Sequence, residues 1–243
     1  MTAGLGSLLL AVETATAAQG VALLRGEQVV ATWRGDGRRP GSEALLPGIQ
    51  QVLAEVGVEA AALEGFAVSI GPGSFTGLRV AIATIKGLAF GAGACVAPVP
   101  TLEALAARAE TRDGPVAAVL DARRGDLYGA VYGGGRCLVE AGVYRPEAFA
   151  ARLPADCAAV VGEGIALLAP CLGALSPELL PPPAGDPDPA VVGRLGVARL
   201  RAGKGVDAAA LVPFYGRRAA AEAHRIGSEQ EPEPDFDTSG KLP

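Results

Sequence analysis

Histidine is nearly missing from this 243-residue sequence: His224 is its one imidazole. A metal held by paired histidines of one chain is therefore excluded. So is a Ser-His-Asp triad, unless that late residue folds back into an ordered pocket. Cysteine is scarce as well. Cys95, Cys137, Cys157 and Cys171 stand far apart with no C-x-x-C pair, so neither a zinc ribbon nor a redox dithiol is written here. They read as small, mostly buried thiols in a reducing compartment. Basic residues are outnumbered, Lys+Arg 21 against Asp+Glu 26, for a net charge of −5 and a pI near 5.1. Affinity for a nucleic-acid backbone comes mainly from Lys and Arg, so this balance argues against a chain that grips nucleic acid by itself. Work on nucleic acid inside a complex with a basic partner stays open.

No uninterrupted run reads as a membrane span. The longest apolar stretch, Leu78 to Val99, puts Lys86 near its centre, at a cost of roughly 2.5–3.5 kcal/mol, and Gly91, Gly93 and Pro98 break its end. Leu8 to Val12 is too short for a signal core, lacks a basic leader and meets Glu13. The expectation is a soluble, cytoplasmic protein. What is abundant is small and apolar. Half the residues are hydrophobic, 19% are charged and mean hydropathy is +0.32, so most of the chain has material for a packed core. The 34 glycines are roughly twice the usual ~7% share and predict tight turns or close backbone approaches. The length suits one large domain or two small lobes.

Leu8 to Val12 reads as a strand ending in the polar turn Glu13-Thr14-Ala15-Thr16. Val21 to Leu24 and Val29 to Trp33, joined through Gly26, read as a hairpin that completes a three-stranded meander. Ser42 can cap a helix whose stripe is Leu45, Leu46, Ile49, Val52, Leu53 and Val56, with an irregularity expected at Pro47 and an end at Gly57. Phe66 to Ile70 fits a buried strand. The loop Gly71 to Gly77 follows, then a helix over about Leu78 to Phe90 with apolar residues nearly all round, which predicts cover on both sides. Ala94 to Val99 reads as a strand.

The pattern restarts more weakly from Thr101, expected to cap a short helix. Strands are predicted over Val116 to Leu120, Leu127 to Tyr132, Cys137 to Val143 and Ala158 to Val161. Pro181 to Pro183 is a stiff spacer, and Asp188-Pro189 opens a helix that Gly203 stops. No repeat of fixed period is visible. The expected divisions are a lobe over 1–100, a reduced lobe over 101–215 and a polar acidic tail over 216–243 that reads as disordered.

The glycine loop fails both phosphate fingerprints. Gly71-x-Gly73 places Thr76 where a dinucleotide loop needs its third glycine, and Gly77 is followed by Leu78-Arg79 rather than by Lys and a hydroxyl residue. It still offers backbone N–H groups at a helix N-terminus, although a structural or interface role explains the glycines better. Glu13, Thr14, Thr16 and Asp121 stand at strand ends where actin-like ATPases keep an acid and hydroxyls for magnesium and phosphate. Glu13 and Asp121 can instead cap turns through side-chain bonds to backbone N–H groups.

Taken together, Leu10-Ala11-Val12-Glu13-Thr14-Ala15-Thr16, Ser42-Glu43-Ala44-Leu45-Leu46-Pro47, Gly71-Pro72-Gly73-Ser74-Phe75-Thr76-Gly77-Leu78-Arg79 and Gly87-Leu88-Ala89 resemble the TsaB (YeaZ) family. Weaker echoes run through Thr101-Leu102-Glu103, Asp121-Ala122-Arg123 with Tyr128, and Pro213-Phe214-Tyr215. The resemblance implies an α/β, actin-like (ASKHA, RNase H-like) two-lobed fold with a reduced second lobe. It implies a subunit without catalytic residues or a metal of its own, which binds and activates the catalytic paralogue TsaD together with the ATPase TsaE. That assembly transfers threonylcarbamoyl to N6 of adenosine 37 in tRNAs reading ANN codons. By the same resemblance tRNA is met only through the complex, a homodimer is the arrangement when the chain is alone, and ATP or ADP sits at the junction with the partner. The implied contact surface comprises Leu45, Leu46, Ile49, the loop Gly71, Pro72, Gly73, Ser74, Phe75, Thr76 and Gly77, and Leu78, Arg79, Ile82, Ile85 and Lys86. Glu13, Thr14, Thr16 and Asp121 would be a vestigial nucleotide site. Two positions depart from the family pattern: Glu13 where Asp is usual, and Gly41 where some members carry His. The rival reading is an independent actin-like ATPase or small-molecule kinase using those four residues. A metallopeptidase is contradicted by the histidine count.

Overall fold

Every residue of β1 (Leu8–Glu13) is buried, because the strand runs through the middle of a sheet covered on both faces. The computed structural model describes residues 7–35, 41–109 and 113–216. β2 (Gly20–Arg25) and β3 (Gln28–Arg34) pair antiparallel beside β1, as the hairpin signal predicts. On its other side β4 (Gly65–Gly71) and β5 (Cys95–Pro100) run parallel to it, in the order β3-β2-β1-β4-β5. The crossovers are α1 (Gly41–Val56), which contains Pro47, and α2 (Phe75–Ala92). Side chains alternate along β1 with period two. Leu10 and Val12 join Leu45, Ile49, Phe66 and Ile85 under the crossover helices, whereas Leu9 and Ala11 face the opposite layer.

That opposite layer comes from far along the chain. α6 (Pro189–Arg201) lies within the residues assigned to the second lobe, yet its Val192, Val197 and Leu200 pack on β1, β2, β4 and β5 of the first sheet. Its start was legible: Asp188 accepts from Ala190 N at 2.9 Å and Pro189 occupies the first turn. Asp188 also takes ion pairs from Arg34 and Arg108, both at 2.9 Å, which tie the end of β3 and the end of α3 (Thr101–Ala107) to this helix start.

The second half repeats the first. β6 (Val116–Arg123), β7 (Asp126–Gly133) and β8 (Arg136–Tyr144) form an antiparallel meander. β9 (Ala159–Val161) and β10 (Glu178–Leu180) add on in parallel, in the order β10-β9-β6-β7-β8. No repeat was visible in sequence because the second set of helices has shrunk: α4 (Pro146–Ala150) and α5 (Ile165–Leu168) are 5 and 4 residues long, against 16 and 18 in α1 and α2.

Three local expectations change. Thr101 is the first residue of α3 rather than its cap; Pro100 precedes it, and among the described residues the buried Thr101 Oγ1 has no partner. α2 starts at Phe75, capped by Ser74, whose Oγ accepts from Gly77 N at 3.2 Å. Its cover is also local: Ile82, Ile85 and Ala89 are core residues, shared with Ala208 and Leu211 from the C-terminal segment. By length and composition α2 could cross a membrane, but here it packs as a core crossover helix. The predicted cap at Ser42, His224 and the acidic tail lie outside the described residues and side chains.

These placements separate folding from surface on one helix. Ile85→Ala is expected to lower unfolding free energy by about 2–5 kcal/mol in urea denaturation. Phe90→Ser, on the exposed side, should stay within about 0.5 kcal/mol of the parent.

Candidate functional site

The end of β1 meets the glycine loop at one buried polar node. Glu13 is fully enclosed: its Oε1 accepts from Ala15 N at 2.5 Å and its Oε2 from the Ser69 hydroxyl of β4. Thr14 donates from Oγ1 to the carbonyl of Gly77 at 2.9 Å, and Ser74 N donates to the Ala15 carbonyl at 2.6 Å. The β1–β2 turn is thereby sewn to the first turn of α2. Both ends of the seam need glycine. Gly73 has φ +155, and a Cβ on Gly77 would lie 2.2 Å from the Thr14 carbonyl oxygen. From above, Phe214 N donates to the Ile70 carbonyl at 2.7 Å, so the C-terminal segment lies over the loop.

Burial raises the Glu13 carboxyl from 4.5 to about 7, opposed by its bonds from Ser69, Ala15 and Thr14 and assisted by the negative charge of Asp188. With both oxygens engaged and no exposure, Glu13 as placed does not fit a divalent cation, and Thr14 is spent on Gly77. Thr16 accepts from Ala18 N at 3.2 Å within its own turn. Asp121 lies two residues before the end of β6, the equivalent strand of the second sheet, and is half-buried, but its Oδ1 accepts from Arg123 N at 2.6 Å. Each of the four side chains is thus engaged locally or by a neighbouring element: Glu13, Thr16 and Asp121 each accept from a backbone N–H two residues on, and Thr14 donates to the Gly77 carbonyl. Nearby, burial and then the charge of Asp121 push the Glu163 carboxyl up, against Arg123.

The contact positions divide sharply. Leu45, Ile49, Leu78, Ile82 and Ile85 are at most 5% exposed, and Gly71, Pro72 and Gly77 are buried with them. They build this chain's own core and leave nothing for another molecule to touch. Ser74, Phe75, Thr76 and Arg79 are exposed, Gly73 and Lys86 are half-buried, and Leu46 is 50% exposed. Lys86 donates to the Ala209 carbonyl at 3.2 Å. Phe75 stacks on Tyr215 at 5.3 Å between centroids, with the Arg79 guanidinium 5.1 Å from its ring. Phe90, 85% exposed, is the most exposed large apolar residue among those described and is not among the positions the resemblance implies. Its signal was present: Arg79, Ala83, Gly87 and Phe90 recur at helical spacing on the open face.

The double meander with two parallel additions places the chain among actin-like ATPase folds. A ROK hexokinase from Thermus thermophilus shares that fold at 12% identity and a TM-score of 0.50, over 80% of this chain and 99% of that one. The family model described as TsaD, tRNA N6-adenosine threonylcarbamoyltransferase, matches residues 38–145. YeaZ from Pseudomonas aeruginosa superposes with a TM-score of 0.75 and 30% identity, over 86% of this chain and 99% of that one. The Bacillus subtilis tRNA threonylcarbamoyladenosine biosynthesis protein TsaB is 32% identical over 124 residues, 51% of this chain and 54% of that protein. The chain belongs to the TsaB (YeaZ) family. In these alignments it spans about half the length of the curated relatives it matches.

Two measurements test the node. Stability contributed by Glu13 is complete below about pH 4.5, where the carboxyl is protonated whether the chain is folded or unfolded. It is lost as pH rises toward 7, by at most about 3 kcal/mol. Glu13→Gln should remove that part of the slope in denaturation curves run from pH 4.5 to 8. Separately, Gly77→Ala should cost at least about 2 kcal/mol, because its methyl group cannot coexist with the Thr14 carbonyl.

Proposed function

We propose that this chain is the non-catalytic subunit required for threonylcarbamoyl transfer to N6 of adenosine 37 in tRNAs reading ANN codons. It acts by binding and activating a TsaD-like paralogue, with a TsaE-like ATPase in the same assembly. The observation that carries the reading is the division of labour on α2. One side builds the core, while the other leaves Phe75 and Phe90 exposed near the two ends of the helix, and Leu46 of α1 is half exposed as well. Large exposed apolar side chains along one helix suit a protein contact that runs its length, and a standard interface needs about 800 Å² per partner. The acidic balance of the chain fits contact with tRNA through the complex rather than directly. The same face would serve a second copy when the catalytic partner is absent.

The proposal keeps ATP or ADP at the junction with the partner, not within this chain, since Glu13 and Thr14 are consumed internally. An independent ATPase or kinase would instead need those groups turned outward. Calorimetry of the isolated chain with Mg-ATP separates the two: tight binding and turnover, both removed by Glu13→Ala, would favour the enzyme.

Sizing with light scattering of the chain mixed with a TsaD-like protein is expected to show a heterodimer. Phe90→Asp or Leu46→Asp should weaken it at least about tenfold with the circular dichroism spectrum intact. Ile82→Asp and Ile85→Asp test only folding. No complex at micromolar concentration, with or without ATP, would count against the proposal.

A further inference from the structure

A cavity of about 410 Å³ opens between α3, the β7–β8 hairpin and α6, and no residue of the glycine loop is among its described lining. Its volume falls within the range of small-molecule sites. The body of the cavity is hydrocarbon, from Ala106 and Ala107 of α3, Val116 of β6, Leu138 of β8 and Leu195 of α6. Its polar groups share one character. Glu103 and Asp113 offer carboxylates, Tyr132 offers a phenol, and no lysine or arginine is among the described lining residues.

The nearest guanidinium is already committed, since Arg199 holds Glu103 at 2.6 Å. Asp113 therefore supplies the charge that no described residue answers. The Tyr132 hydroxyl has no hydrogen-bond partner among the described residues. Burial, reinforced by the charges of Cys137 and Glu103, keeps its proton in place. A neutral phenol oxygen can accept an N–H, as can both carboxylates, while a ligand carboxylate would meet like charge.

We propose that this cavity binds a small molecule carrying one primary ammonium on a short hydrocarbon body. The ammonium lies among Asp113, Glu103 and Tyr132, and the hydrocarbon rests on Ala107, Leu138 and Leu195. The site is independent of the partner surface on α2, and neither reading needs the other.

Backbone-amide NMR of the full chain, titrated with 2-phenylethylamine, 2-phenylethanol and 3-phenylpropionate, tests it. Saturable shifts are expected at Val116, Gly133 and Gly134 with the amine, weaker ones with the alcohol and none with the carboxylate. Asp113→Asn and Tyr132→Phe should each weaken the amine by about five- to tenfold. Ala107→Phe, which fills the cavity, should abolish the shifts. If that variant does not fold, Leu138→Trp on the exposed rim is read in its place. Equal binding of the three probes, shifts that do not saturate, or amine binding that survives the filled cavity would overturn the assignment. So would silence from all three probes, the outcome expected if a partner's side chain occupies the cavity.

Discussion

The carboxyl of Glu13, shut inside the sheet at the end of β1, is the constraint around which the first lobe is arranged. One oxygen fixes the turn that follows it through Ala15 N, and the other fixes β4 through Ser69. Thr14 and Ala15 then reach the start of α2 through Gly77 and Ser74. A charge so enclosed is costly, which is why its proton is held toward neutral pH. The arrangement turns polar residues at a strand end, where an actin-like enzyme would handle phosphate, into internal fastening.

That fastening has a consequence for the outer surface. Because α2 is pinned at its N-terminus and its inner side is filled by Ile82, Ile85 and Ala89, its remaining side is fixed in place without being used. A rigid face that carries exposed aromatic side chains suits docking better than a mobile one, since less ordering entropy is lost on contact. On the proposed reading the chemistry falls to the neighbour, and this chain contributes shape.

Much of this was legible in the sequence, for reasons that differ by element. The meander β1–β3 announced itself through short β-prone runs around a glycine turn. The start of α6 announced itself through Asp188-Pro189, whose capping bond is local. The glycine string located the loop and the start of α2 to within a few residues. What escaped was either short or distant. α4, α5 and β10 are 5, 4 and 3 residues long, too few for a periodic signal to accumulate. Thr14 and Gly77 are 63 positions apart, and the return of α6 to the first sheet is a tertiary choice that no local window contains. The residues expected at a contact surface divide between core and surface for the same reason. Periodicity marks which residues are apolar, but it does not tell which side of an apolar helix the sheet will claim, so Ile82 and Ile85 went to the core and Phe90 was left outside.

The most direct test is the threonylcarbamoyladenosine content of total tRNA from cells depleted of this protein and then supplied with the parent chain or with Phe90→Asp. The account predicts that the modification falls on depletion, returns with the parent chain and does not return with a folded Phe90→Asp variant. Unchanged modification after depletion would contradict it.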